Sequence, residues 1–160
     1  NSKVMSERKY WLMKSEPDVF GIDDMEKAGV EPWDGIRNYA ARNYMRDEMK
    51  IGDKVFFYHS NAKPMAIVGT MEVASEPYPD PTQFDPKAKY FDPKSKESDP
   101  KWHLVDVRFV QKFEHPVTRE AMKEESALDN MELFRLSRLS ITPVREEEWN
   151  KIMEMAGVKG

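Results

Sequence analysis

Five β-prone runs, separated by helical stretches with no regular strand–helix–strand alternation, limit what this chain can become more than any single residue does. The runs are 10–14, 54–60, 66–74, 102–112 and 139–142, each rich in branched or aromatic residues; Pro17 stops the first and Pro143 the last. Helical spacing fills the gaps over 22–27 (closed by Gly29), 38–49, 119–125, 128–134 and 146–155. In the helix over 38–49, Tyr39, Ala40, Tyr44, Met45 and Met49 share one face, and Arg42, Arg46 and Lys50 form the opposite ridge. Within 102–112, Val105, Val107 and Phe109 alternate with Leu104, Asp106 and Arg108. The expected class is α+β, a curved mixed sheet or small pseudo-barrel of about five to six strands flanked by helices, rather than a doubly wound parallel sheet. Such a sheet is expected to bring the ends of the first two runs to a common opening.

A length of 160 residues suits one domain with a real core, expected over 9–157. Residues 1–8 read as an N-terminal tail. Asn1 to Val4, ahead of Met5-Ser6-Glu7-Arg8, are expected to be in part a cloning remnant. The absence of cysteine excludes disulfides, thiolate metal sites and cysteine nucleophiles. No apolar run approaches the roughly 20 residues of a membrane span, and no leader pattern opens the sequence. A cytoplasmic location is expected, nuclear in a eukaryote, with no membrane partner and a monomeric state. A net charge of −4 argues against indiscriminate nucleic-acid binding. Yet from Arg37 to Lys63 six basic residues stand against three acids, so a local basic face and a merely solvated one both fit.

Catalytic signatures are missing. His59, His103 and His115 are scattered, without zinc spacing, and no nucleophile elbow, phosphate loop or dinucleotide fingerprint occurs. Neither a metal nor a cofactor is expected. Asp80-Pro81, Asp85-Pro86, Asp92-Pro93 and Asp99-Pro100 punctuate a long stretch that reads as an ordered loop with a functional or lid role, not a calcium loop. Trp11, Trp102 and Trp149 fall where large aromatics pack. Trp33 differs: it precedes an Asp34-Gly35 turn, where an indole either anchors a loop or lines a pocket for a flat ligand. The backbone at Asp34 and Gly35 is expected to lie open to a ring edge. Lys14-Ser15-Glu16 and His59-Ser60-Asn61 are, similarly, either strand ends or a polar rim.

Five segments in order then become recognisable: YWLMKSEP (10–17), WDGIRNYAARNYM (33–45), FFYHSN (56–61), YPDPTQF (78–84) and LSITPV (139–144). They closely resemble the EVE domain family over almost the whole chain. The resemblance implies a PUA-like fold, related to the readers of N6-methyladenosine, and a pocket for a modified base. Modified cytosines such as 5-methylcytosine and 5-hydroxymethylcytosine in DNA are the implied ligands, and the implied role is non-catalytic reading of a flipped base. Trp33 resembles the cage tryptophan of those readers, and Glu16 stands where they carry an aromatic. The implied ligand set is Trp33, Asp34, Lys14, Ser15, Glu16, Asn38, His59, Ser60 and Ser140, with Arg37, Arg42 and Lys63 on nucleic-acid backbone. Two other roles stay open: a PUA-like module for a modified RNA base, and a specificity subunit of a modification-dependent nuclease system.

Overall fold

The structure, a computed structural model, describes residues 9–158; the tail expected over 1–8 lies outside the described residues. In chain order the elements begin with strand β1 (Tyr10–Ser15), helices α1 (Pro17–Phe20) and α2 (Ile22–Ala28), strand β2 (Val30–Pro32) and helix α3 (Tyr39–Asn43). Helix α3 runs into a π-helical turn over Tyr44–Glu48. Strands β3 (Lys54–His59), β4 (Ala66–Val73), β5 (Tyr78–Pro79), β6 (His103–Leu104) and β7 (Asp106–Thr118) follow. The chain continues with α4 (Arg119–Lys123), α5 (Glu132–Arg135), β8 (Ile141–Val144) and α6 (Glu146–Ala156).

Six strands form one sheet in the order β2-β7-β4-β3-β1-β8, and β5 pairs with β6 separately. Only β1 and β3 run parallel, in a register that sets Ser15 opposite His59; the other pairs in the main sheet are antiparallel. Register breaks in β4 against both neighbours, between Phe57/Tyr58, Ile67/Gly69 and Thr70/Met71, curl the sheet into a half-barrel. Gly69 is required there, because a Cβ would collide with the Gln111 carbonyl oxygen and meet Ile22 at 2.9 Å.

The period-2 alternation of β1 and β3 sends side chains into two cores. Trp11, Met13, Val55 and Phe57 join Met25, Trp33 and Met45 on one face of the sheet. Leu12, Phe56 and Tyr58 join Phe113, Trp149 and Ile152 on the other. Trp149 stacks on Phe56 with ring centroids 3.8 Å apart, so α6 closes the second core. Trp11, Trp102 and Trp149 are all buried, as their positions in the sequence lead one to expect.

Several boundaries differ from those expected. The last strand begins later and includes Pro143, which an edge strand tolerates because no ladder hydrogen bond needs its missing N–H. The run over 102–112 divides at Val105 and then continues to Thr118. Residues 128–134 split around Met131, which caps α5. Tyr39, expected on the buried face of its helix, is 52% exposed and stacks on Trp102 instead. Among the described residues no helix is long and apolar enough to cross a membrane.

Asp53, nearly fully buried, ties the start of β3 to β1. It accepts from the Trp11 indole N–H (3.0 Å), the Lys50 amide (2.9 Å) and the Lys9 amide (3.1 Å). Removing it leaves those donors without their acceptor, so Asp53→Ala is expected to destabilise the protein by about 3 kcal/mol. Urea unfolding monitored by tryptophan fluorescence reads the change; a loss under about 1 kcal/mol would show that water takes over these bonds.

Candidate functional site

Parallel pairing brings the C-terminal ends of β1 and β3 side by side, where the Ser60 amide donates to the Ser15 carbonyl at 3.0 Å. An open cavity of about 790 Å³ begins at these ends. Lys14, Ser15, Glu16, Ser60 and Ser140 line it together with Trp33 and Asp34 from the turn after β2. These seven residues, far apart in sequence, were all expected at the site, and the fold gathers them.

Trp33 is a wall residue and a core residue at once. It is only 7% exposed, and its ring meets Phe57 and Phe20 edge-on at 5.7 and 6.4 Å. Its amide donates to the Val105 carbonyl at 3.0 Å, which hangs the turn from the segment before β7. The turn's amides, expected to lie open to a ring edge, are both spent within the fold. The Asp34 amide donates to the Pro32 carbonyl (3.0 Å) and the Gly35 amide to Asp80 Oδ2 (2.8 Å). Ser15 Oγ donates to the Phe20 carbonyl at 2.5 Å, leaving that oxygen its acceptor capacity.

Five expected contributors lie outside the cavity wall. Asn38 caps α3, its side-chain oxygen accepting from the Ala41 amide at 3.0 Å. His59 Nε2 accepts from the Ile22 amide at 3.1 Å, and burial lowers the imidazole pKa, which favours the neutral ring that bond requires. Arg37 is consumed by structure: it bonds Asp80 (3.1 Å), Thr82 (3.0 Å) and, twice, the Tyr90 carbonyl (2.7 and 3.0 Å). Arg42 donates to the Lys101 carbonyl and lies 4.8 Å from the Tyr39 ring centroid. Lys63 is exposed beside its cis bond to Pro64, away from the lining.

The Asp-Pro stretch is ordered by its own chemistry. Asp80, Asp85 and Asp92 each accept from the amide two residues on, at 2.8, 2.9 and 2.9 Å. Buried Gln83 satisfies both ends of its amide, donating to the Asp80 and Trp102 carbonyls (2.7 Å each) and accepting from Ser95 and the Trp102 amide. The loop supplies Lys89 and Tyr90 to the cavity. It is held against the tryptophan turn as a wall: Gly35 has φ +81°, and a Cβ there would meet the Tyr90 ring at 2.8 Å. Sequence reasoning passed over Tyr90, although Lys89-Tyr90-Phe91 is an aromatic cluster inside a polar loop. Arg119, Arg138 and Glu31 also line the cavity, and nothing in their sequence context marks them.

The lining is electrically divided. Glu31 and Asp34 stand at the tryptophan turn, while Lys14, Arg119 and Arg138 come from β1, the start of α4 and the segment before β8. Desolvation, then the neighbouring Asp80 carboxylate, pushes the Asp34 carboxyl up despite the pull of Arg37. Desolvation and Asp34 push Glu31 up as well. Asp80 goes the other way: burial opposes its ionisation, but hydrogen bonds from Thr82, the Gly35 amide and Arg37 hold its carboxyl below the usual value. Among the described residues no cluster of histidines and carboxylates is arranged to hold a metal ion.

A half-barrel α+β sheet opening into an aromatic-walled cavity defines a PUA-like domain. The EVE domain family model matches residues 9–155, and the chain belongs to that family. It is similar to thymocyte nuclear protein 1 of Mus musculus, 42% identical over 165 residues that span 91% of this chain and 73% of the relative. A hypothetical protein from Leishmania major superposes with TM-score 0.91 at 45% identity, covering 94% of this chain and 96% of that one. Human THYN1 protein, solved in complex with 5-methylcytosine-containing DNA, superposes with TM-score 0.89 at 39% identity, covering 95% and 99%.

Two expectations follow from the charges. Arg37→Ala strips the nearly fully buried Asp80 of its cation and is expected to destabilise by about 3–5 kcal/mol in urea unfolding, well beyond the about 0–1 of a surface pair. Asp34, whose folded-state pKa is raised, opposes stability once pH passes above the usual carboxylate range. Asp34→Asn is therefore expected to melt higher than the parent at pH 7, with the gap closing as pH falls into the carboxylate range. A Tm difference that does not change with pH would contradict this.

Proposed function

We propose that this chain is a non-catalytic reader of a modified cytosine, 5-methyl or 5-hydroxymethyl, in DNA. The observation that carries the reading is the cavity at Trp33, whose 790 Å³ lies within the roughly 300–1,000 Å³ typical of small-ligand sites. The likeness to human THYN1 protein, solved with 5-methylcytosine-containing DNA, supports the class of ligand. The relatives' name supports a nuclear place where the host is eukaryotic.

In this reading a nucleotide leaves the stack, at a cost of a few kcal/mol, and its base enters the cavity. There it packs against Trp33, a contact worth about 1–3 kcal/mol. Asp34 accepts from the 4-amino group, the edge that separates cytosine from thymine. Ser15, Ser60 and Ser140 serve the remaining polar atoms, with Glu16 at the rim, and Phe20 and Met65 offer apolar surface to the 5-substituent. One extra methyl in such a pocket is worth about 1–3 kcal/mol, or roughly 10-fold and upward in selectivity.

Fluorescence-polarisation titration of short duplexes carrying cytosine, 5-methylcytosine or 5-hydroxymethylcytosine at one site tests the proposal. The expected result is about tenfold tighter binding of a modified duplex, weakened about tenfold by Asp34→Asn. Trp33→Phe, chosen over alanine because Trp33 also fills the core, is expected to weaken it by a smaller factor. Equal affinity for all duplexes at two salt concentrations would overturn the reading. Preferential competition by a modified RNA would replace DNA with RNA as the target.

A further inference from the structure

We infer that Lys14, Arg119 and Arg138 form a phosphodiester subsite that seats the backbone phosphate next to the base held at Trp33. The inference rests on the proposed reading of the cavity as a nucleotide site and assigns its second half. All three side chains line the same cavity as Trp33. The Lys14 amide donates to the Ser140 carbonyl (2.9 Å) and its ammonium to the Ser137 carbonyl (2.8 Å). Those two bonds lace the segment carrying Arg138 onto the end of β1. Arg119 is fixed from the other side, its amide donating to the Met65 carbonyl (2.9 Å) and its guanidinium covering the Phe134 ring at 5.2 Å.

What these cations lack is a counter-charge. Among the described residues, the Arg119 and Arg138 side chains make no hydrogen bond or ion pair, whereas Arg37 and Arg42 are both bonded into the fold. Glu16 shares the cavity but pairs with none of the three. Burial and then the nearby Arg119 charge lower the Lys14 pKa. A guanidinium fork matches two phosphate oxygens, and an ammonium adds a point charge to the same group. Glu31 and Asp34 repel an anion, so the divided lining orients a nucleotide with its base at the tryptophan turn and its phosphate at the cationic wall. Lys89 stands apart from this wall, its ammonium 5.4 Å from the Tyr90 ring at the tryptophan turn.

The test compares the parent with the Arg119→Gln/Arg138→Gln and Arg119→Lys/Arg138→Lys double variants. Each is titrated with cytosine and 5-methylcytosine duplexes over a salt series. The glutamine variant is expected to bind about tenfold more weakly and to lower the slope of log K against log salt by about 0.9 for each phosphate left without its cation. The 5-methylcytosine preference should persist, and lysine should restore the slope. A second readout uses small probes: 5-methyl-2′-deoxycytidine binds parent and glutamine variant alike, while its 5′-monophosphate favours the parent. An unchanged slope, or a preference that disappears together with affinity, would overturn the subsite. A parent that ignores methylation while the glutamine variant still shows the shallower slope would overturn base reading and keep the phosphate subsite. A parent that binds no nucleic acid or nucleotide overturns both.

Discussion

The parallel pairing of β1 with β3 is the constraint on which the rest of the molecule depends. Two parallel neighbours cannot be joined by a hairpin, so the chain must leave the end of β1, cross the sheet and return. That crossover contains α1, α2, β2, the Trp33 turn and α3. It packs Ile22, Met25, Trp33 and Met45 over one face of the strands, while α6 and its neighbours cover the other. Both strands thus become central and doubly buried, and the cavity opens where they end. Ser15, Ser60 and Trp33 meet where the crossover passes the ends of these strands.

A second constraint is the use of charge. Asp80 is buried, and its oxygens are met by Arg37, Thr82 and the Gly35 amide. A buried carboxylate is tolerated only when its charge is met in this way. The result joins the long loop to the tryptophan turn, so that Tyr90 stands over Gly35 as a fixed wall. The same economy leaves other groups unsatisfied. Asp34 and Glu31 are crowded carboxylates at one end of the cavity, and Arg119 and Arg138 are unpaired cations at the other. Perturbed carboxylates and unpaired cations that meet in one cavity are characteristic of ligand sites, where an arriving partner supplies the missing charge.

The legible parts of the sequence were those in which one residue type answers to one local force. Continuous apolar and aromatic runs marked β1, β3 and β4; Gly29 closed a helix at positive φ; three of the four Asp-Pro pairs announced a side-chain-capped turn, at Asp80, Asp85 and Asp92. The Trp33-Asp34-Gly35 turn was legible for a similar reason, since its glycine needs a positive φ. The partners of Arg37 and Arg42 were not legible, because a basic residue near a motif looks the same whether it meets a phosphate or a buried acid. The partner that decides, Asp80 for Arg37 and the Lys101 carbonyl for Arg42, lies 43 and 59 residues away. The partners of His59 and Asn38 were hidden likewise, being backbone amides that no sequence pattern reveals.

By itself, then, the sequence determined the α+β class, the order of the main elements, the family and the tryptophan turn, because propensity, alternation and turn chemistry act over a few residues. Only the tertiary structure decided which charges are spent and which are free. Tyr90, Arg119 and Arg138 come to the cavity from three separate segments, and their place depends on the curl of β4, the crossover above β1 and the loop held by Asp80. Those are long-range contacts, and the availability of a charged side chain is set by the neighbours that such contacts bring or withhold.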